Sequence, residues 1–181
     1  ICLTINELKE IYSLLKKNPK IKFTSNLVLR CNDLFQKIKK KIKVKDLIYL
    51  EADYLWGRKH KLYQWRSKLK NYSIIHGAGI HMIDLVMWLL NQKPIYVKSF
   101  GNKIGTANST FKKESFVFCI LKFPKNILVK ISINASGIHN HFHELRIFQK
   151  GKSIIHSSKG SYEILKKKSK IFYKNIKSNY P

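Results

Sequence analysis

The chain has 181 residues, of which 44% are hydrophobic and 12% aromatic, enough for one ordinary globular domain with its own core. Its 36 Lys and Arg against 10 Asp and Glu give a formal charge of +26, which invites a nucleic-acid partner. The cations are almost all lysine spread along the whole sequence, however, with arginine only at Arg30, Arg58, Arg66 and Arg146. Base and phosphate recognition favours the bidentate arginine fork. No specific nucleic-acid partner is therefore expected, only a weak, salt-sensitive affinity for polyanions. No apolar run approaches a membrane span and the start lacks the basic-then-apolar order of a signal peptide, so no membrane association is expected. Cys2, Cys31 and Cys119 are odd in number and share no metal-ligand spacing, which reads as reduced thiols in a cytoplasmic protein with no metal site.

In chain order, Thr4 followed by Glu7 makes a capping box, Leu3 and Leu8 suit a hydrophobic staple, and Ile5, Leu8, Tyr12 and Leu15 give a helical stripe that stops before Pro19. Ile21 to Arg30 is rich in β-branched and apolar residues, and Leu27-Val28-Leu29 suits a strand covered on both faces. Asn32 caps a second predicted helix through about Ile42, with Leu34, Phe35, Ile38 and Ile42 inward. Helix, buried strand and helix read as the end of an α/β unit, yet no G-x-G-x-x-G opens a helix anywhere in the sequence.

From Leu47 the pattern turns to period two. Ile48, Leu50, Ala52 and Tyr54 alternate with Glu51 and Asp53, Phe116, Phe118 and Ile120 form a later strand, and Ile127, Val129, Ile131 and Ile133 alternate with Lys130, Ser132 and Asn134. Ile95 to Phe100 and Glu144 to Phe148 add two more, with turns at Pro124-Lys125-Asn126 and Lys150-Gly151-Lys152. The expected fold is α+β: an open, mostly antiparallel sheet of about five or six strands covered by helices, preceded by the last helix-strand-helix of a Rossmann-type domain. The boundaries read as a dinucleotide-domain remnant over 1–45, a substrate and oligomerisation sheet domain over 46–160 and a lysine-rich tail over 161–181.

Two segments carry chemistry. From Ile80 to Leu90 nearly every residue is apolar, so this helix is expected to be buried on most sides. His81, Asp84 and Trp88 break the run on one stripe, and a buried polar group needs a partner or a pocket. Gly77 and Gly79 allow a tight turn and close approach ahead of the helix, whose dipole would favour a neutral His81 able to accept a proton. A structural hydrogen-bonded pair of His81 and Asp84 fits the same spacing. The loop Leu55 to Ser73 holds Trp56, Arg58, His60, Tyr63, Trp65 and Arg66, a set suited to stacking and planar hydrogen bonding with a sugar or nucleotide. His139, His141 and His143 alternate on an extended segment and read as a polar sheet face rather than a metal site.

Trp65-Arg66 followed by Gly77-Ala78-Gly79-Ile80-His81-Met82-Ile83-Asp84-Leu85 resembles the signature of the glucose-fructose oxidoreductase and inositol dehydrogenase (Gfo/Idh/MocA) family. The resemblance implies a substrate-binding C-terminal domain of an NAD- or NADP-dependent oxidoreductase acting on a sugar or polyol, with a Glu-Lys-Pro motif and the Rossmann strands ahead of a segment like Ile1 to Thr4, and no activity for the chain alone. By resemblance His81 is the catalytic base or its partner, and Trp65 and Arg66 lie near the nicotinamide end of the cofactor, with Arg30 facing the same cleft; Arg58, His60 and Tyr63 of the loop and Asp84 of the helix stripe are the candidate substrate contacts. Many members carry an aspartate at the position that is Gly77 here, so the usual relay is incomplete. A homo-oligomer through the sheet face is implied as well, and a non-catalytic binding or dimerisation module is the alternative reading.

Overall fold

Period-two segments become strands only where neighbours accept their backbone groups, and in the computed structural model eight of them join one sheet. The structure describes residues 2–167 and 170–177. Its strands are β1 (Leu47–Leu55), β2 (Tyr96–Asn102), β3 (Phe116–Lys122), β4 (Leu128–Asn134), β5 (Phe142–Gln149), β6 (Lys152–Ser157), β7 (Gly160–Lys167) and β8 (Lys170–Asn175), in the order β2-β3-β4-β1-β5-β6-β7-β8. Every neighbouring pair is antiparallel except β1 with β4. The expected α+β class, open sheet and antiparallel bias all hold. The 150–151 turn places Gly151 at φ 74°, a conformation that favours glycine.

Helices α1 (Ile5–Lys17), α2 (Asp33–Lys41), α3 (Trp65–Lys68) and α4 (Ile80–Leu90) precede or interrupt the strands. The capping box of α1 forms, with Glu7 N donating to Thr4 Oγ1 at 3.2 Å and Thr4 N donating to Glu7 Oε2 at 3.1 Å. Its apolar stripe is not buried, however: Ile5, Leu8 and Tyr12 are all exposed. Asn32 caps α2 by accepting from Leu34 N at 2.9 Å, and Leu34, Phe35 and Ile38 are buried as expected. On α4, Met82, Asp84, Leu85, Val86, Leu89 and Leu90 are buried, and the helix packs on β1.

Three expectations are corrected. Ile21 to Arg30 is not a strand: residues 21–26 are exposed and Val28–Cys31 make a single 3₁₀ turn that buries Leu29. A strand covered on both faces needs sheet neighbours, and this sheet ends at β2 and β8 without recruiting it. In β1 a register shift between Leu47 and Tyr49 turns Ile48 outward, while Leu50, Ala52 and Tyr54 stay buried. Phe116, Phe118 and Ile120 do lie on a strand, β3, whose buried face is Val117, Cys119 and Leu121, because the register of Val117 with Ile133 and Cys119 with Ile131 fixes which side faces the core. The sheet has eight strands rather than five or six, since the lysine-rich stretch continues as β7 and β8 at its edge. Glu163 there is paired with Lys41 at 3.1 Å and Lys152 at 3.4 Å, and lysine on edge strands is an ordinary guard against further pairing. Residues 168, 169 and 178–181 of the expected tail lie outside the described residues.

The sheet's other face carries a charge ladder across β4, β1 and β5: Lys130 to Asp53 at 2.7 Å, Arg146 to Glu51 at 2.9 Å and to Glu144 at 3.2 Å, with Ser132 donating to Asp53. The face assignment has a direct check. Ile131→Ala in the core should lower stability by about 2–5 kcal/mol, whereas Ile120→Ala, 39% exposed on the outer face, should cost less than about 1 kcal/mol; urea midpoints of the two variants measure it.

Candidate functional site

The C-terminal end of β1 is where the polar residues of α4 and the loops meet. Trp56 N donates to Asn134 O at 2.8 Å, which ties the chain leaving β1 to the end of β4. Gly57 then lies against the segment before β5, so close that a Cβ would stand 2.6 Å from His139 O and 2.8 Å from His141 N. Tyr54, the last inward residue of β1, stacks on His143 with ring centroids 4.4 Å apart and meets His141 edge-on at 5.3 Å and His81 edge-on at 6.1 Å. Tyr54 Oη and His141 Nε2 are 3.5 Å apart.

His81 and Asp84 do not pair with each other. Asp84, 8% exposed, receives a bidentate pair from Arg30: Nε donates to Oδ2 at 2.6 Å and Nη2 to Oδ1. Trp88 turns to α2, where the Lys39 ammonium lies 4.0 Å from its ring and donates to its carbonyl at 2.7 Å. His81 is left facing Tyr54. Nδ1 of His81 and Nδ1 of His141 are buried with no hydrogen-bond partner among the described residues.

Burial keeps this cluster uncharged. It pushes the His143 imidazole down to about 3, with His141, His81, His156 and Arg58 adding to the effect, and pushes the Tyr54 phenol up to about 12 against the charge of Arg58. His141 is lowered by burial and then by Arg58, Lys61, His81 and His139. His81 is lowered by burial, opposed by Asp84. A neutral imidazole beside a buried phenol is able to accept a proton.

The expectations about the histidines and glycines change accordingly. His143 is buried on the helix-covered face rather than forming a polar sheet face, since its register opposite Tyr54 points it inward. Among the described residues no three His, Cys, Asp or Glu side chains are arranged to hold a metal ion. Gly77 and Gly79 form no tight turn: Ile75–Gly79 is a π-helical turn running straight into α4, with Gly79 at φ −58°. The helix start therefore lies a turn before His81, and desolvation rather than the dipole lowers that residue. The glycines serve close approach. A methyl on Gly77 would overlap the Tyr72 hydroxyl oxygen and stand 2.8 Å from its ring carbon, and one on Gly79 would stand 3.0 Å from Ile133 Cδ1.

Beside this corner the loop builds an aromatic box around Arg66. Its guanidinium carbon lies 4.3 Å from the Trp65 ring, 5.6 Å from Trp56 and 5.9 Å from Tyr72, and Nε donates to Tyr72 Oη at 3.0 Å. Trp65 is 54% exposed, while Trp56 and Tyr72 are buried. Arg58, His60 and Tyr63 are on the exposed rim, Tyr63 lining a cleft of about 290 Å³ with Lys59, Thr106 and Ser109. A second cleft of about 180 Å³ lies between Arg66, Leu69, Phe111 and Lys112. Tyr54 and Tyr72 are site residues that sequence reasoning missed. The signal for Tyr54 was its place as the last inward residue of an alternating strand; for Tyr72 it was Gly77 itself, a missing side chain whose space another group fills.

The fold is an open α+β sheet with a histidine-bearing helix across its inner face. Residues 35–163 match the model of the GFO/IDH/MocA C-terminal domain, and the chain belongs to that family. No curated protein matches by sequence. Among solved structures the chain is similar to a myo-inositol 2-dehydrogenase from Lactobacillus plantarum (TM-score 0.71, 17% identity, covering 98% of this chain and 55% of that one). It is also similar to a UDP-N-acetylglucosamine 3-dehydrogenase from Acidithiobacillus ferrooxidans (0.73, 14%, 99% and 54%). A third is a scyllo-inositol dehydrogenase from Lactobacillus casei, solved with NAD(H) and scyllo-inositol (0.65, 12%, 95% and 53%). The chain thus spans about half the length of each.

The fit of Tyr72 against position 77 is testable. Gly77→Ala should destabilise by about 1–3 kcal/mol through overpacking. In a Tyr72→Leu background the same substitution should cost markedly less, a non-additivity read from a double-mutant cycle of urea midpoints.

Proposed function

We propose that this chain is the substrate-binding part of an NAD- or NADP-dependent oxidoreductase acting on a sugar or related polyol, with His81 as its proton acceptor. The observation that carries the reading is the neutral His81, its Nδ1 buried and unpartnered beside the phenol of Tyr54, on the helix of a family domain. Oxidising a secondary alcohol requires removal of its hydroxyl proton as hydride leaves, and a neutral imidazole within reach of that oxygen serves. Arg58, His60 and Tyr63 line the rim from which a polyol's other hydroxyls are held. Asp84 acts through Arg30, which it fixes at the same side of α4.

A nicotinamide ring supplies the hydride acceptor when bound. The exposed face of Trp65 with Arg66 stacked on it suits a flat aromatic at the nicotinamide end, whereas the sequence offers no glycine-rich loop for the phosphates. Turnover in this reading requires a dinucleotide-binding portion with that loop and a catalytic lysine; the chain alone is proposed to be inactive. The exposed apolar stripe of α1 together with Ile21, Phe23 and Val28 supports residues 1–45 as part of such a portion, with 46–160 as the substrate domain and the lysine-rich stretch from 161 extending its sheet. Three free cysteines support a cytoplasmic setting. Among the described residues no helix is long and apolar enough to cross a membrane.

A non-catalytic or dimerising role has its own support in the outer sheet face, where Tyr96, Phe100 and Ile120 are exposed; self-association through this face is the homo-oligomer proposed here. Two variants separate the roles. Joined to a dinucleotide portion, His81→Ala should cut kcat by about 10²–10⁴ without changing sedimentation, whereas Ile120→Glu should dissociate an oligomer and spare the chemistry. An enzyme indifferent to His81→Ala would remove the catalytic reading.

A further inference from the structure

Two permanent cations flank the corner around His81: Arg58 and Lys61 both act on His141, and Arg58 acts on His143 as well, while burial holds the imidazoles of His81, His141 and His143 neutral. The carboxylate that acts on His81 is Asp84, and Arg30 holds both of its oxygens. The close backbone approach of Gly57 to His139 and His141 seats Arg58, the next residue, against the same segment.

Three imidazole nitrogens here are buried with no hydrogen-bond partner among the described residues: Nδ1 of His81, Nδ1 of His141 and Nε2 of His139. Buried polar atoms are nearly always paired, so three orphans in one region ask for a partner from outside the chain. Arg58 and Lys61 have no carboxylate paired with them among the described residues, so they favour a ligand that brings a counter-charge, and a low-dielectric corner strengthens that preference. A neutral hydroxyl satisfies the orphan nitrogens and leaves the positive field uncompensated. An oxyanion satisfies both, accepting from imidazole N–H groups and from a guanidinium.

Resting on the reading that His81 lies in the substrate site, we propose that the corner framed by Arg58, His81, His139 and His141 binds the anionic group of an acidic sugar. The ligand class is a sugar bearing a compact oxyanion, carboxylate or phosphoryl, in preference to a neutral polyol. Arg58 and the imidazoles of His139 and His141 hold the charged group, and the sugar ring extends past Tyr54 toward His81. This is separate from the weak polyanion affinity that surface lysines confer, because it requires the half-buried imidazoles of His81, His139 and His141 with their buried nitrogens, whose contacts salt screens less than those of the open surface.

The test is titration of the chain followed by ¹H–¹³C spectra of its histidine imidazoles at roughly 0.15 M salt, where surface attraction is largely screened. The probes are D-glucuronate, D-glucose 6-phosphate, D-glucose and inorganic sulfate. At least one charged sugar should shift His81 and His141 saturably, with a Kd at least about tenfold below that of glucose, and which one does so tells carboxylate from phosphoryl. Arg58→Gln should erase most of that difference. If glucose binds beside His81 as tightly as either charged sugar, the anionic preference is overturned while the sugar site stands. If sulfate alone matches the charged sugars, the corner is a bare anion site and the sugar class is wrong. If no sugar moves His81, the inference falls together with the reading of His81 as a substrate-site residue.

Discussion

A carboxylate inside an apolar helix is the constraint on which the arrangement depends. The helix α4 is covered on most sides, and Asp84 sits within its buried surface. Removing such a charge from water is expensive unless it is paired and hydrogen-bonded. Arg30 meets that demand with its planar fork, and in doing so fastens the 3₁₀ turn of Val28–Cys31, and with it the start of α2, to α4. The consequence reaches the site. With Asp84 occupied, His81 one turn earlier is free of it as a direct partner and turns to Tyr54 at the end of β1.

The site is built by register as much as by sequence. Pairing of Tyr54 with His143 across β1 and β5, and parallel pairing of β1 with β4, bring the last inward residue of a central strand to the point where α4 begins. That corner is kept neutral by burial, and neutrality has a thermodynamic cost in acid. The folded-state values of His143 and His156 lie near 3 and 4, below the ordinary 6.5. Between those values the unfolded chain binds more protons than the folded one, so stability rises with pH through this window. It is complete above about 6.5 and is lost as pH falls toward the folded-state values.

Local signals survived the passage from sequence to structure. The capping box at Thr4 and Glu7, the Asn32 cap, the buried helix from Ile80 and the alternation of Ile127 to Ile133 each depend on neighbours within a turn or a strand. Features set by distant partners were not legible. Leu27-Val28-Leu29 has the composition of a covered strand but no strand beside it, the orientation of β3 is dictated by β4, and lysines on β7 and β8 hide an edge that only the sheet reveals. Of the candidate site, the His81 stripe and the Trp65-Arg66 pair could be read from the chain. The pairing of Arg30 with Asp84, 54 residues apart, and the Tyr72 hydroxyl filling the space beside Gly77 depend on tertiary approach that no spacing rule encodes.

Two influences compete at His81: desolvation, which favours the neutral ring, and the charge of Asp84, which favours the cation. If Arg30 neutralises Asp84 as its geometry indicates, desolvation wins. An NMR titration of the His81 imidazole in the chain measures this directly. A midpoint below 6.5 is the result expected for a neutral proton acceptor held beside Tyr54. A midpoint above it would mean that Asp84 acts on His81 despite Arg30, and that the residue is a charged structural partner rather than a base.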